Sequence, residues 1–174
     1  MATWIALLRV VNVGGTGKLS MTDLKALCAD AGFQNVATYI ASGNVVFDST
    51  LNEAGIRQAL ETRLLDHSGK PVGVAVRSRS EMAAVLANNP FPDFKASYTT
   101  AIFLDTQPPV DFASGLKGHA DELLRSGTRE IYVTYPSGMG QSRLTIPAAR
   151  LGTARNMNTI AKLAMMAEQS EQRA

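Results

Sequence analysis

Cysteine occurs once in the 174 residues, at Cys28, so no disulfide can close within the chain and a reducing compartment is expected. Histidine occurs only at His67 and His119. Neither has a second histidine at metal-ligand spacing, and no cysteine pair is present, which argues against a zinc site. No run of eighteen apolar residues exists, so no membrane-spanning helix is expected. Met1 to Val11 are largely apolar, yet no basic segment precedes them and no small-residue cleavage site ends them, unlike a secretory signal. The expected location is the cytoplasm. Basic clusters are absent too: the formal charge is only +2, and no run of five or six Lys or Arg appears. Composition therefore gives no push toward nucleic acid.

What is there is an ordinary globular composition, 45% hydrophobic and 18% charged, long enough to bury a sizeable core. Trp4 to Val11 is apolar at successive positions, the mark of a strand covered on both faces. A glycine-rich turn follows, then Ser20 and Asp23 as a helix start with Met21, Leu24, Leu27, Cys28 and Ala31 on one face and Gly32 closing it. Val36 to Ile40 and Val45 to Phe47 read as a hairpin around Ser42-Gly43-Asn44. Thr50 and Glu53 read as the next capping pair, ahead of the stripe Ile56, Ala59, Leu60, Arg63 and Leu64. Val72, Val74 and Val76 alternate as a strand, and Ser78 with Glu81 starts a short helix that stops at Asn88-Asn89-Pro90. The order βαββαβ is that of a ferredoxin-like plait.

The pattern then restarts. Thr99 to Leu104 reads as a strand, and Phe112, Leu116, Ala120, Leu123 and Leu124 as a helix weakened by Gly115 and Gly118. His119 falls inside that helix, with Asp121 and Glu122 on a solvated face. Ile131 to Tyr135 and Arg143 to Ile146 read as returning strands. Thr153 to Thr159 opens a last helix carrying Ile160, Leu163, Ala164 and Ala167, which frays from Glu168. The expected fold is α+β: two ferredoxin-like (α/β plait) halves, residues 1–95 and 96–174, antiparallel sheets with helices packed on one face. The joint falls near Phe91 to Phe94.

Three features carry chemistry. The turn Asn12 to Lys18 offers the exposed amides of a Gly-rich loop, which suit an anion, although it also serves as a plain turn. It is no nucleotide P-loop, because Asn12 stands where the first Gly belongs and Leu19 follows Lys18 instead of Ser or Thr. Arg9 ends an apolar strand; a guanidinium there is accounted for by a structural ion pair, by snorkelling at the sheet edge, or by an anionic ligand. Thr153, Arg155, Asn156, Asn158 and Thr159 crowd polar groups at a helix start where one N-cap suffices, so either a ligand site or a buried hydrogen-bond knot accounts for the surplus. Cys28 lies on an apolar stripe and reads as a structural thiol. Gly-x-Ser-x-Gly is absent, and no carboxylate pair stands out. The plait order is shared with RNA-recognition modules, but the candidate strands are aliphatic where those modules place stacking rings.

The ordered set LLRVVNVGGTGKLSMTDLKAL, VATYIASGNVVF, NNPF, YPSG and LGTARNMNT resembles the bacterial family catalogued as domain of unknown function 1697, over nearly the whole chain. The resemblance implies a cytoplasmic protein of two ferredoxin-like plaits and implies no activity. Its polar signature matches Arg9, Asn12, Gly14, Gly15, Met21, Ser42, Gly43, Asn44, Thr153, Arg155, Asn156, Asn158 and Thr159. Val10 replaces the family's usual Gly and Met157 its usual Trp.

The function expected from these readings is binding of a small anionic or phosphorylated ligand in a cleft between the halves. Arg9, Asn12, Gly14, Gly15, Lys18, Ser42, Asn44, Arg155, Asn156, Asn158 and Thr159 would line it. No metal or cofactor is implied. Two rivals stand beside it: an enzyme using Arg9, Lys18 and Arg155 for electrostatic stabilisation, and a protein-interaction module. The sequence assigns no oligomeric state.

Overall fold

The computed structural model describes residues 1–9, 19–40 and 42–172. Asn12, Gly14, Gly15 and Lys18 therefore lie outside the described residues. The chain divides into two compact units, Met1–Met82 with Lys162–Ala174, and Ala83–Ala161. Each contains a four-stranded antiparallel sheet.

In the first unit the order is β1 (Ala2–Leu8), α1 (Met21–Asp30), β2 (Gln34–Tyr39), β3 (Asn44–Ser49), α2 (Glu53–Ser68) and β4 (Val74–Ser78). The strands lie in the order β2-β3-β1-β4. Strand alternation divides the side chains between two faces. Ala6, Leu8, Val45, Phe47, Val74 and Val76 face α1 and α2, where Leu24, Cys28, Ile56, Leu60 and Leu64 complete a buried cluster. The Phe33 and Phe47 rings stack in it at 4.3 Å. Opposite lie Thr3, Ile5, Leu7, Val46 and Asp48, paired across the sheet. The final helix, α4 (Met157–Gln172), reaches this second face: Ser170 Oγ donates to Asp48. Burial on both faces is why the first strand lacks polar alternation.

Local chemistry places the helix starts. Asp23 N–H donates to Ser20 Oγ at 2.9 Å, as the sequence suggests. At α2 the cap is Asn52, whose Oδ1 accepts from Gly55 N–H at 2.9 Å, not Thr50. Glu53 is the first helical residue, so the Thr50–Glu53 spacing falls two residues out of phase with a capping box. The third helix, α3 (Arg79–Ala87), has the reciprocal pair: Ser78 N–H donates to Glu81 Oε1 at 2.8 Å and Glu81 N–H to Ser78 Oγ at 3.2 Å.

The second sheet comprises β5 (Thr99–Phe103), β6 (Leu123–Ser126), β7 (Glu130–Thr134) and β8 (Thr153–Asn156), in the order β6-β7-β5-β8. With β5 in the place of β1, this is the strand order of the first sheet. The helices do not repeat with it. The expected helix through Phe112 to Leu124 is absent, and residues 105–122 run as turns. Gly115 and Gly118 sit at φ 74° and 68°, in the left-handed region that a right-handed helix cannot contain. A Cβ on Gly118 would stand 2.2 Å from the Arg143 carbonyl oxygen. The expected strand Arg143 to Ile146 is likewise reduced to one bridge, Lys117 with Thr145. Phe112, Leu116, Leu144 and Ile146 still cover Ile102, Ile131 and Val133. The apolar spacing marked Phe112, Leu116 and Leu124 as packing positions, which are partly buried, but Ala120 and Leu123 are exposed and the segment is not helical.

The end of the chain needs two corrections. Thr153 to Asn156 form β8 before α4 begins, and the helix runs on through Glu168 to Gln172. His119 lies in the turn segment, where its Nε2 contacts the Glu122 carbonyl at 2.7 Å. Glu122 is buried, not solvated; it accepts from Ala120 N–H and Ser142 Oγ, both at 2.9 Å. The Ala120 amide first, then Ser142, holds its carboxyl below the usual range against the opposing effect of burial.

Candidate functional site

Three strand ends meet where β1 leaves the first sheet. Leu8 N–H donates to the Gly43 carbonyl at 2.8 Å, and Arg9 N–H to the Gly73 carbonyl at 2.9 Å. The backbone of Arg9 is thereby held at the starts of β3 and β4. Its side chain is half-buried and its stem runs past Gly73, where a Cβ would lie 3.6 Å from Arg9 Cδ. Beside it the β2–β3 turn is tied from within: fully buried Asn44 donates Nδ2 to the Tyr39 carbonyl at 2.8 Å and to Ser42 Oγ at 2.9 Å. Asn44 thus has a structural task, while Ser42 is exposed. In the same turn Ile40 has φ 50°, a left-handed conformation that costs a β-branched residue about 1–3 kcal/mol. Its side chain is nearly half exposed, so packing does not obviously offset that cost.

The second polar set belongs to the other unit. Arg155 pairs with Ala101 across β8 and β5 and is buried. Its Nη1 donates to Thr153 Oγ1 at 2.8 Å and to the Ala154 carbonyl at 2.9 Å. Burial lowers its pKa to about 10, so it remains a cation at neutral pH. Asn156 is the N-cap of α4, its Oδ1 accepting from Thr159 N–H at 2.9 Å. Asn158 is exposed and Thr159 buried. Arg9, Ser42 and Asn44 therefore gather in one unit, and Arg155, Asn156, Asn158 and Thr159 in the other.

Three buried charged residues went unnoticed in the sequence: Arg77, Asp48 and Glu130. Arg77 is 1% exposed, paired with Ile5 on the second face of the first sheet, its Nη1 donating to the Val76 carbonyl at 3.0 Å. Asp48 is 5% exposed on that same face and accepts from Thr3 Oγ1 and Asn35 Nδ2, both at 2.7 Å, besides Ser170. The signal was available for the first two: Arg77 directly follows the apolar run Val74 to Val76 and Asp48 the run Val45 to Phe47 within their strands. Cys28 is fully buried and its thiol is pushed up to about 12 by loss of solvent, which leaves no thiolate to act as a nucleophile. Among the described residues no group of three or more His, Cys, Asp or Glu side chains could hold a metal, and no helix is long and apolar enough to cross a membrane.

Among the described residues, two antiparallel four-stranded sheets of matching order, with four α-helices, define an α+β protein. The chain belongs to the family described as protein of unknown function DUF1697, whose model matches residues 1–132. The matched stretch holds Arg9, Asn12 to Lys18, Ser42 and Asn44 but stops before Thr153. A solved structure, that of the conserved bacterial protein SP0830 from Streptococcus pneumoniae, is similar over 95% of this chain and 98% of that one. Its TM-score is 0.75 at 24% identity, a likeness of fold. No curated protein matches.

Proposed function

We propose that this chain binds a small anionic ligand, with a phosphate or carboxylate received at the exit of β1. The observation that carries the reading is Arg9: a cation at the end of an otherwise apolar strand, its backbone held by Gly43 and Gly73. Guanidinium groups suit phosphate and carboxylate because their planar N–H donors match two oxygens at once. The next residues in sequence include Gly14, Gly15 and Lys18, a composition suited to presenting amides and a second charge. The strained backbone at Ile40 supports the same place, since such strain gathers at binding sites. With the site go three structural and cellular readings: the first sheet with its helices as a ferredoxin-like plait and the second as a plait reduced to its strands, residues 1–95 and 96–174 as the units of repetition, and a cytoplasmic location.

The test is calorimetric titration of the full chain with inorganic phosphate and pyrophosphate. Arg9→Ala should weaken binding at least about tenfold, the loss of one charge-assisted contact, and Arg9→Lys should weaken it less. Unchanged affinity in Arg9→Ala, or no saturable binding by the unaltered chain, would overturn the reading. Arg155→Ala in the same titration shows whether the second unit's polar set takes part.

A further inference from the structure

At the far end of β1, six residues or about 20 Å from Arg9, the first unit contains a hollow of about 480 Å³. Met1, Thr3, Asn35, Asp48, Arg79 and Ser80 are among the residues lining it, with Ser78 beside them, and among the described residues the α-amino group of Met1 forms no ion pair with Asp48. Its size is that of a small-molecule site, and its charges are unevenly matched. Arg79 Nη1 is paired with Glu168 Oε1 at 2.9 Å, which leaves that part of the rim neutral. Asp48 is different. It is 5% exposed, yet among the described residues every donor to it is neutral: Thr3, Asn35 and Ser170. A buried carboxylate without a cation forgoes most of the compensation for lost hydration.

We propose that this hollow binds a small primary amine, with its ammonium group against Asp48. The geometry of the carboxylate selects this class. A carboxylate has about four acceptor positions; Thr3 and Asn35 take one on each oxygen, and the single Ser170 proton is shared between the other two at 3.3 and 3.4 Å, so one more donor can be accommodated. A guanidinium would need two parallel positions on both oxygens. A hard metal ion would need about six oxygen ligands, and the described residues hold no acidic cluster to supply them. An ammonium needs one carboxylate position and turns its remaining N–H groups to hydroxyl or carbonyl acceptors. Ser78 and Ser80 supply hydroxyls in the same hollow, 3.2 Å from each other. A hydroxyl or similar polar group on the ligand would meet the exposed Ser80 at the rim. This site shares no residue with the one proposed at Arg9.

The experiment is titration of the isotopically labelled full chain with ethanolamine, followed by amide chemical shifts, with choline and acetate as controls. Ethanolamine should shift Thr3, Asn35, Asp48 and Ser80 saturably. Choline, whose methyl groups replace every N–H, should bind at least about tenfold more weakly, and acetate should leave these amides unmoved. Asp48→Asn should abolish the saturable shifts. Because that substitution sets an amide against Asn35 Nδ2 and could disturb folding, Ser80→Trp provides a second variant. It fills the hollow from an exposed position without touching the carboxylate, and should abolish the shifts while the remaining spectrum stays in place. Shifts that never saturate, equal response to choline, or undiminished binding in Ser80→Trp or a folded Asp48→Asn would each overturn the proposal.

Discussion

At the scale of single residues, the buried groups divide into those with a structural account and those that call for a ligand. Asn44 and Asn156 belong to the first kind, one tying a turn and the other capping a helix. Cys28 does too, and its burial has a consequence in alkali. The thiol rises from an ordinary 9.0 to about 12 through loss of solvent. Tyr132, whose hydroxyl donates to the Val85 carbonyl at 2.8 Å, rises from 10.0 to about 12 through burial and then the nearby Glu130 charge. Both folded values lie above the unfolded ones, so the unfolded chain releases these protons first. Their contribution to stability is complete below about pH 9 and is lost as pH rises toward 12. Denaturant midpoints should fall across that window, with a shallower fall in Cys28→Ala than in the unaltered chain. Cys28 should also resist a disulfide reagent at pH 8 until the protein unfolds, as absorbance of the released thiol will report.

At the scale of elements, glycine conformation overruled hydrophobic spacing. Phe112, Leu116 and Leu124 recur at helical intervals and do pack on the second sheet. The two glycines between them hold left-handed backbone angles, and Gly118 lies against the Arg143 backbone. Ala at 118 would favour the helix that the apolar pattern suggests, and would also collide with that carbonyl. Gly118→Ala should therefore destabilise the chain by roughly 2 kcal/mol or more, measured by urea unfolding, where an ordinary helical glycine would gain from the change. The capping pairs show how close sequence reasoning comes. Ser20–Asp23 and Ser78–Glu81 were legible because the serine immediately precedes the first helical residue. Thr50–Glu53 has the same letters and the wrong phase, and Asn52 takes the cap.

At the scale of the whole molecule, the first unit is discontinuous: its sheet comes from residues 1–82, and Lys162–Ala174 return to it. A fragment ending at residue 95 lacks the Ser170 contact to Asp48 and the Glu168 partner of Arg79. It should melt without cooperativity and bind a hydrophobic dye. Residues 1–82 joined by a flexible linker to 162–174 should show a cooperative transition by circular dichroism. A cooperative melt of the shorter fragment at the full chain's temperature would contradict this account. Adding the returning segment matters because a strand apolar on both faces needs cover on both.

Strands β1 to β5 and β7, helices α1 to α3 and the burial of Cys28 were written in the sequence, because period-two and period-3.6 patterns and adjacent caps are local properties; β6 and β8 fell where helix was expected. The restart of the pattern at β5 was legible, since β5 repeats the apolar character of β1, but the strand order of the second sheet was not, because β6 and β8 carry residues read as helix. Tertiary structure alone decided which neutral donors surround the buried Asp48 carboxylate. Asp48, Thr3, Asn35 and Ser170 stand up to 167 positions apart along the chain, and the pairing of β3 with both β1 and β2 and the return of α4 bring them into contact. A hydrogen bond depends on distance in space, which no local pattern of residues records.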